Sequence, residues 1–222
     1  MVTIYKLKLK TFKIIQKIFK IFNFKIFYSK DIDVLSNLKV DMIIDVGVAN
    51  GTKFLLNNFS NAKYLLIEPN IDYHKNIETK LAKKFNTKLF KYAAGNKNEK
   101  KKLFINGPIS SFYERENFKF NNFYEVEVRQ LDEILINEKI SSNSLLKIDC
   151  EGGELDVLLG ANNTLNKVKY VIVELRLNKI DTYNPSEIIN YLYEKKFFWK
   201  HILKVYYAKN GIDFLDVIFV KK

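Results

Sequence analysis

Short runs of continuous apolar residues recur from Asp41 onward with helical stretches between them, and this alternation constrains the fold more than any other feature of the chain. Met42-Ile43-Ile44 precedes a helical stretch around Phe54-Leu55-Leu56, and Tyr64-Leu65-Leu66-Ile67 follows it. Leu145-Leu146-Lys147-Ile148, the helical stretch 155–165 and Tyr170-Val171-Ile172-Val173 repeat the order. A strand that is apolar throughout must be covered on both faces, the condition of parallel strands joined through helices. The expected fold is therefore α/β, a doubly wound, mostly parallel sheet. The end of the chain differs. Pro185 opens a helix with Ile188, Ile189 and Leu192 on one face, and Asn210-Gly211 separates the strand-like runs 199–207 and 214–220. Asn-Gly in that setting predicts a hairpin, hence an antiparallel strand pair at the C-terminal edge. Residues 106–122, rich in Asn, Ser and Phe, are expected as an irregular loop near the site.

With 47% hydrophobic and 28% charged residues among 222, and few Gly or Pro, the chain is neither disordered nor low in complexity. The lone cysteine, Cys150, excludes an intramolecular disulfide framework and a cysteine-based zinc cluster. Eight of the twelve net positive charges fall in residues 1–30, which contain no acid. The basic excess is lysine; the arginines are Arg115, Arg129 and Arg176. Arginine is the usual bidentate reader of guanine edges and phosphates, so this balance argues against nucleic acid as the partner.

Two segments are expected: a basic amphipathic helical extension over 1–30 and a domain over 31–222. Lys10, Lys13, Lys17 and Lys20 share one side of a helix, while Ile14, Ile15, Ile18, Phe19 and Phe22 fall largely on the other. Lysines interrupt every apolar stretch there, which excludes a signal peptide and a membrane-spanning helix. The extension is then either a cap packed on the domain or a peripheral anchor on an anionic membrane. A cytoplasmic protein is expected, placed at the inner face of the membrane in the second case.

Three motifs carry chemistry. Ile43-Ile44-Asp45-Val46-Gly47-Val48-Ala49-Asn50-Gly51 runs from a buried strand through two glycines into a helix. Glycine there permits a tight turn and the approach of a ligand to bare backbone. It is neither the Gly-x-Gly-x-x-Gly fingerprint nor a P-loop, which lowers NAD and ATP as ligands. Ile67-Glu68-Pro69 follows, with Glu68 lying 23 residues after Asp45. An acid at that strand end can accept hydrogen bonds from both ribose hydroxyls of a nucleoside. Joined at this spacing, the two motifs point to S-adenosylmethionine. The third is Lys147-Ile148-Asp149-Cys150-Glu151-Gly152-Gly153-Glu154. Asp149 closes a strand, and open α/β sheets bind ligands beyond the carboxyl ends of their strands. Glu151 and Glu154 suit the positive end of the following helix. Cys150 reads as a packing residue rather than a nucleophile. His74 is expected on a helix surface facing solvent, and His201 as a packing or sheet-surface residue.

These motifs, with Ala93-Ala94-Gly95, Ser110-Ser111, Leu131-Asp132, Leu158-Leu159-Gly160-Ala161 and Val173-Glu174, make residues 42–174 resemble the FkbM family of S-adenosylmethionine-dependent methyltransferases. The resemblance implies a class I methyltransferase fold of the Rossmann-like type and O-methylation of sugar hydroxyls in glycans or glycosylated metabolites. It implies that Asp45, Gly47, Val48, Asn50, Gly51, Glu68, Pro69 and Ala94 face the cofactor. The family commonly has Gly-Ala-Asn-x-Gly in the first loop; here Asn50 is displaced by one position, so roles of the loop backbone transfer and a role of the asparagine side chain does not.

An alcohol needs a positioned base, and Asp149 is the first candidate, Glu151 the second, with Lys147 orienting Asp149. No metal ligands are assigned, although Asp149 and Glu174 offer an alternative as a magnesium pair. Two other functions compete: an RNA-directed methyltransferase, against which Ile148-Asp149-Cys150-Glu151 lacks the Asn/Asp-Pro-Pro-aromatic run of amino-methylating enzymes, and a non-catalytic membrane-associated module.

Overall fold

The computed structural model describes residues 32–113, 122–177, 182–209 and 211–222. The basic segment 1–30, and with it the choice between cap and anchor, lies outside the described residues, as does the 114–121 part of the expected loop. Contacts divide the chain into Met1–Leu38 and Lys39–Lys222. In the first unit the short helix α1 (Ile32–Ser36) is described; the second contains everything below.

Five parallel strands make up one side of a seven-stranded sheet: β1 (Met42–Val46), β2 (Lys63–Ile67), β3 (Asn86–Phe90), β7 (Ser144–Ile148) and β8 (Tyr170–Arg176). The order is β3-β2-β1-β7-β8-β10-β9. The last two, β9 (Phe197–Ala208) and β10 (Gly211–Lys221), are the expected C-terminal hairpin, and β10 runs antiparallel to both of its neighbours. β1 and β7 are buried at every position, the buried Asp45 and Lys147 included. The main core joins one face of these strands (Ile44, Val46, Leu146, Ile148, Val171, Val173) to helices α5 (Glu154–Leu159), α6 (Asn162–Lys167) and α7 (Pro185–Glu194). Asn184 and Glu187 form a reciprocal cap at the start of α7, next to the proline that the sequence placed there.

The expected helix over 155–165 is two helices. The break falls at Gly160, where a Cβ would stand 1.9 Å from the Gly95 carbonyl oxygen, so the residue that caps α5 must be glycine for the chain to pass against a second sheet. The Asp132 carboxylate restarts it, accepting from the Asn163 and Thr164 amides at 2.6 and 2.7 Å at the head of α6.

That second sheet was not expected. It pairs β4 (Ala93–Gly95) parallel to β6 (Asn122–Gln130), and β6 antiparallel to β5 (Glu99–Ile105). Glu99-Lys100-Lys101-Lys102 hides its strand character, because its small core of Ala93, Leu103, Val126 and Val128 needs one apolar side only. The remaining helices are α2 (Lys53–Asn58), α3 (Ile71–Asn76), which widens into a π-helical turn over Ile77–Leu81, and α4 (Leu131–Ile134). No helix among the described residues is long and apolar enough to cross a membrane.

Candidate active site

A cavity of about 290 Å³ opens beyond the carboxyl ends of β1, β2, β7 and β8, where the strand order reverses. Its first wall is the turn after β1. Gly47 has φ +80°, and a Cβ there would lie 1.8 Å from the Asp149 carbonyl oxygen, so no other residue fits where this turn abuts the end of β7. The Gly47 amide donates to Ile67 O, and the Gly51 amide to Val48 O. At the end of β2, Glu68 ties the turn down: one carboxylate oxygen accepts from the Ala49 amide at 2.7 Å and the other from the Asn70 amide at 2.8 Å. Burial raises the Glu68 pKa, and these amides oppose the shift. His74 on α3 is buried, against the expectation of a solvent-facing ring. Its Nε2 lies 2.8 Å from the Glu68 carbonyl oxygen, which requires the Nε2–H tautomer and supports the same strand end.

Beneath the cavity Lys147 joins three partners. Its ammonium donates to Gly47 O at 3.0 Å and lies 3.4 Å from Asp45 Oδ1 and 3.2 Å from Asp149 Oδ2. Asp45 and Lys147 are cross-strand partners on β1 and β7, which puts both side chains on one face. Burial works against the ammonium, but Asp149 and Asp45 more than offset it and the Lys147 pKa is raised. Burial likewise raises Asp45, with Lys147 opposing. Asp149 differs from this buried pair in being one-third exposed at the cavity.

The turn from β7 to α5 completes the site. Glu154 is fully buried and accepts from the Cys150 amide at 2.8 Å and the Gly152 amide at 3.2 Å, so it shapes the turn and does not line the cavity. Burial, Glu154 and Asp149 keep the Cys150 thiol protonated, in keeping with a packing role. Glu151 holds a left-handed backbone (φ +55°), its carbonyl accepting from Ser111 Oγ and its carboxylate paired with Arg176. Arg176 also lies 2.8 Å from Glu174 Oε1. Asp149, Glu151 and Glu174 bring carboxylate oxygens within 4.8 Å of one another. A magnesium ion between Asp149 and Glu174 would compete with the Arg176 guanidinium, which already lies against Glu174 and Glu151.

Burial and the Asp149 charge push Glu174 up to about 9, and the same two causes push Asp216, its cross-strand partner on β10, up to about 6. Both carboxyls hold a proton more tightly folded than unfolded. The stability they contribute is complete below the unfolded values near 4 and is lost as pH rises through 6 and towards 9. Thermal melting should therefore fall between pH 6 and 9, by about 2–4 °C per kcal/mol in a chain of this size. Glu174→Gln should flatten that slope; an unchanged slope would remove Glu174 as its source.

The methyltransferase FkbM domain is matched over residues 45–198, more than half of the chain. The chain belongs to the FkbM methyltransferase family. Its sheet is that of solved methyltransferases. Fibrillarin from Aeropyrum pernix has 11% identity over 82% of this chain and 67% of its own, with a TM-score of 0.51. A putative rRNA methylase from Clostridium thermocellum has 12% identity over 89% and 98%, also at 0.51. Magnesium protoporphyrin IX methyltransferase from Synechocystis PCC 6803 has 7% identity over 86% and 74%, at 0.50. No curated protein matches the chain.

Of the family positions anticipated from sequence, Gly47, Val48, Gly51, Glu68, Pro69, Ala94, Lys147, Asp149 and Glu151 line the one cavity. Asp45 and Asn50 do not. Asp45 is spent on Lys147 inside the sheet, and Asn50 is exposed, its side-chain oxygen accepting from Asn76 Nδ2 at 3.3 Å. Ser110, Ser111 and Phe112 from the expected loop do reach the cavity. Sequence reasoning missed Arg176, although it lies two residues after Glu174 on one strand, a spacing that puts both on the same face.

Proposed function

We propose that this FkbM-family protein is an S-adenosylmethionine-dependent O-methyltransferase whose acceptor is a sugar hydroxyl of a glycan or glycosylated metabolite. The observation that carries the reading is a single cavity holding both a glycine turn latched to Glu68 and a partly exposed carboxylate, Asp149, fixed by a buried lysine. The fit to the cofactor rests on bare backbone at Gly47 and Gly51 and on Glu68, which keeps lone pairs for ribose hydroxyls beyond its two amide bonds. Two of the structural neighbours were solved with S-adenosylmethionine bound, which supports the same cofactor here.

S-adenosylmethionine supplies, when bound, a methyl group on a positively charged sulfur. Asp149 would accept the proton of the acceptor hydroxyl at its carboxylate and so make that oxygen the nucleophile for the methyl group. Lys147 holds Asp149 in place, and the cavity walls would position the acceptor hydroxyl against that carboxylate. Three carboxyl groups at the cavity favour an uncharged polyol, whose hydroxyls donate to them, over the phosphates of a nucleic acid.

Glu68→Ala should weaken S-adenosylmethionine binding by about 1.5–3 kcal/mol, the scale of hydrogen bonds to a charged group, as read by titration calorimetry. Unchanged affinity would remove Glu68 from the cofactor site. For the acceptor, labelled S-adenosylmethionine incubated with nucleotide sugars and glycan extracts should yield a labelled sugar by mass spectrometry. Label found in RNA instead would overturn the sugar assignment.

A further inference from the structure

Arg176 takes no part in the mechanism above, yet it touches two of the cavity's carboxyl groups and an aromatic ring. Its Nη2 meets the Glu151 carboxylate and lies 2.8 Å from Glu174 Oε1. Its guanidinium carbon stands 5.1 Å from the centre of the Phe214 ring. Phe214 is stacked on Tyr206 at 3.9 Å with 24° between the ring planes, and the Lys204 ammonium stands 3.9 Å from the Tyr206 centre. Register explains the column. Arg176, Phe214 and Tyr206 are cross-strand partners on β8, β10 and β9, and therefore share one face.

Asp149, Glu151 and Glu174 bring carboxyl oxygens within 4.8 Å of one another, so their charges oppose each other; a proton held on Glu174 relieves part of this and cations relieve the rest. Lys147 serves Asp149, and Arg176 serves Glu151 and Glu174. We propose that Arg176 is a positioning residue for methyl transfer: bridging Glu151 and Glu174 and braced on the Phe214–Tyr206 stack, it leaves Asp149 as the cavity carboxylate that takes the acceptor's proton. The proposal rests on Asp149 being the base. Other charges also act on the cluster. Asp45 acts on it through Lys147, Glu154 and Tyr183 act on Arg176, and Asp216 faces Asp149 with Lys204 beside it. The variants below leave all of these in place.

The test compares wild type, Arg176→Ala, Arg176→Lys and Arg176→Ala/Glu151→Gln, with transfer followed from pH 4 to 9 and the carboxyl titration from pH 6 to 11. The first reading is transfer of label from S-adenosylmethionine to the glycan extract; the second is the carboxyl-carbon NMR titration of Glu174, identified by its loss in Glu174→Gln. Arg176→Ala should lose about 10–100-fold in transfer at pH 7, the scale of a misplaced catalytic group. The acid limb of its pH profile should move up by about one unit, because losing a nearby cation favours protonated carboxyls. Arg176→Lys keeps the charge without the flat face and should recover part of the rate. Removing the Glu151 charge in the double variant should return the limb towards wild type, and calorimetric affinity for S-adenosylmethionine should stay within about twofold throughout. A loss of rate with an unmoved limb, or Arg176→Lys no better than Arg176→Ala, would overturn the proposal. Should wild type bind the cofactor and label nothing, the functional reading fails; the NMR titration then decides Arg176, an upward shift of Glu174 in Arg176→Ala supporting the charge bridge and no shift refuting it.

Discussion

Asp149→Asn should lower methyl transfer by roughly 10²–10⁴-fold, the usual worth of a positioned general base, while binding of S-adenosylmethionine stays near wild type. The substitution keeps the size of the side chain at the end of β7, so the turn against Gly47 is undisturbed; that contact is made by the Asp149 backbone and not by its carboxylate. Lys147 loses one anionic partner and retains Asp45 and the Gly47 carbonyl, which limits the effect on stability. The reading is label incorporation against calorimetric affinity on the same preparations. Transfer near wild type would make Asp149 structural and pass the base to Glu151. Loss of transfer together with loss of cofactor affinity would mean that the substitution disturbs the β1 turn, and Asp149 would then belong to the cofactor wall.

The legible part of this molecule is the part written in local pattern. Ile43-Ile44, Leu65-Leu66 and Val171-Ile172 announce buried parallel strands because both faces of each must be apolar, and Asn210-Gly211 announces the hairpin that closes the sheet. Strand ends then become readable as site positions, which is why Gly47, Glu68 and Asp149 meet in one cavity. The illegible part depends on pairing across long stretches of chain. Asp45 looks like a ligand from its place beside the glycine turn; only the register of β1 with β7 reveals that its partner is Lys147. His74 looks exposed by helical position, and its role as a donor to the Glu68 carbonyl arises from how α3 folds back on β2. The lysines of β5 conceal a strand because one of its faces looks outward. Gly160, at the break between two helices, must be glycine for a reason held by Gly95, far away in sequence.

The same register gives the second large effect, on stability. Lys147→Met should destabilise the fold by about 3–5 kcal/mol, the cost of leaving a buried ion without its partner, and lower the melting temperature on the order of 10 °C. Methionine fills much of the lysine's volume, so the loss is electrostatic rather than a cavity. Asp45, 1% exposed, is left with no cation, and the Gly47 carbonyl loses its donor at the turn that walls the cavity. Two controls fix the cause. Adding Asp45→Asn removes the orphaned charge and should return a large part of the lost stability. Lowering pH should narrow the gap to wild type, because a carboxyl already raised by burial and now without its lysine takes up a proton readily, and the uncharged form tolerates the interior. If Asp45→Asn gives no recovery and the gap is the same at pH 5 and pH 8, the lysine acts through packing alone. Recovery would instead establish the Asp45–Lys147–Asp149 chain as one electrostatic unit, in which a buried carboxylate that never touches substrate fixes the lysine that fixes the base.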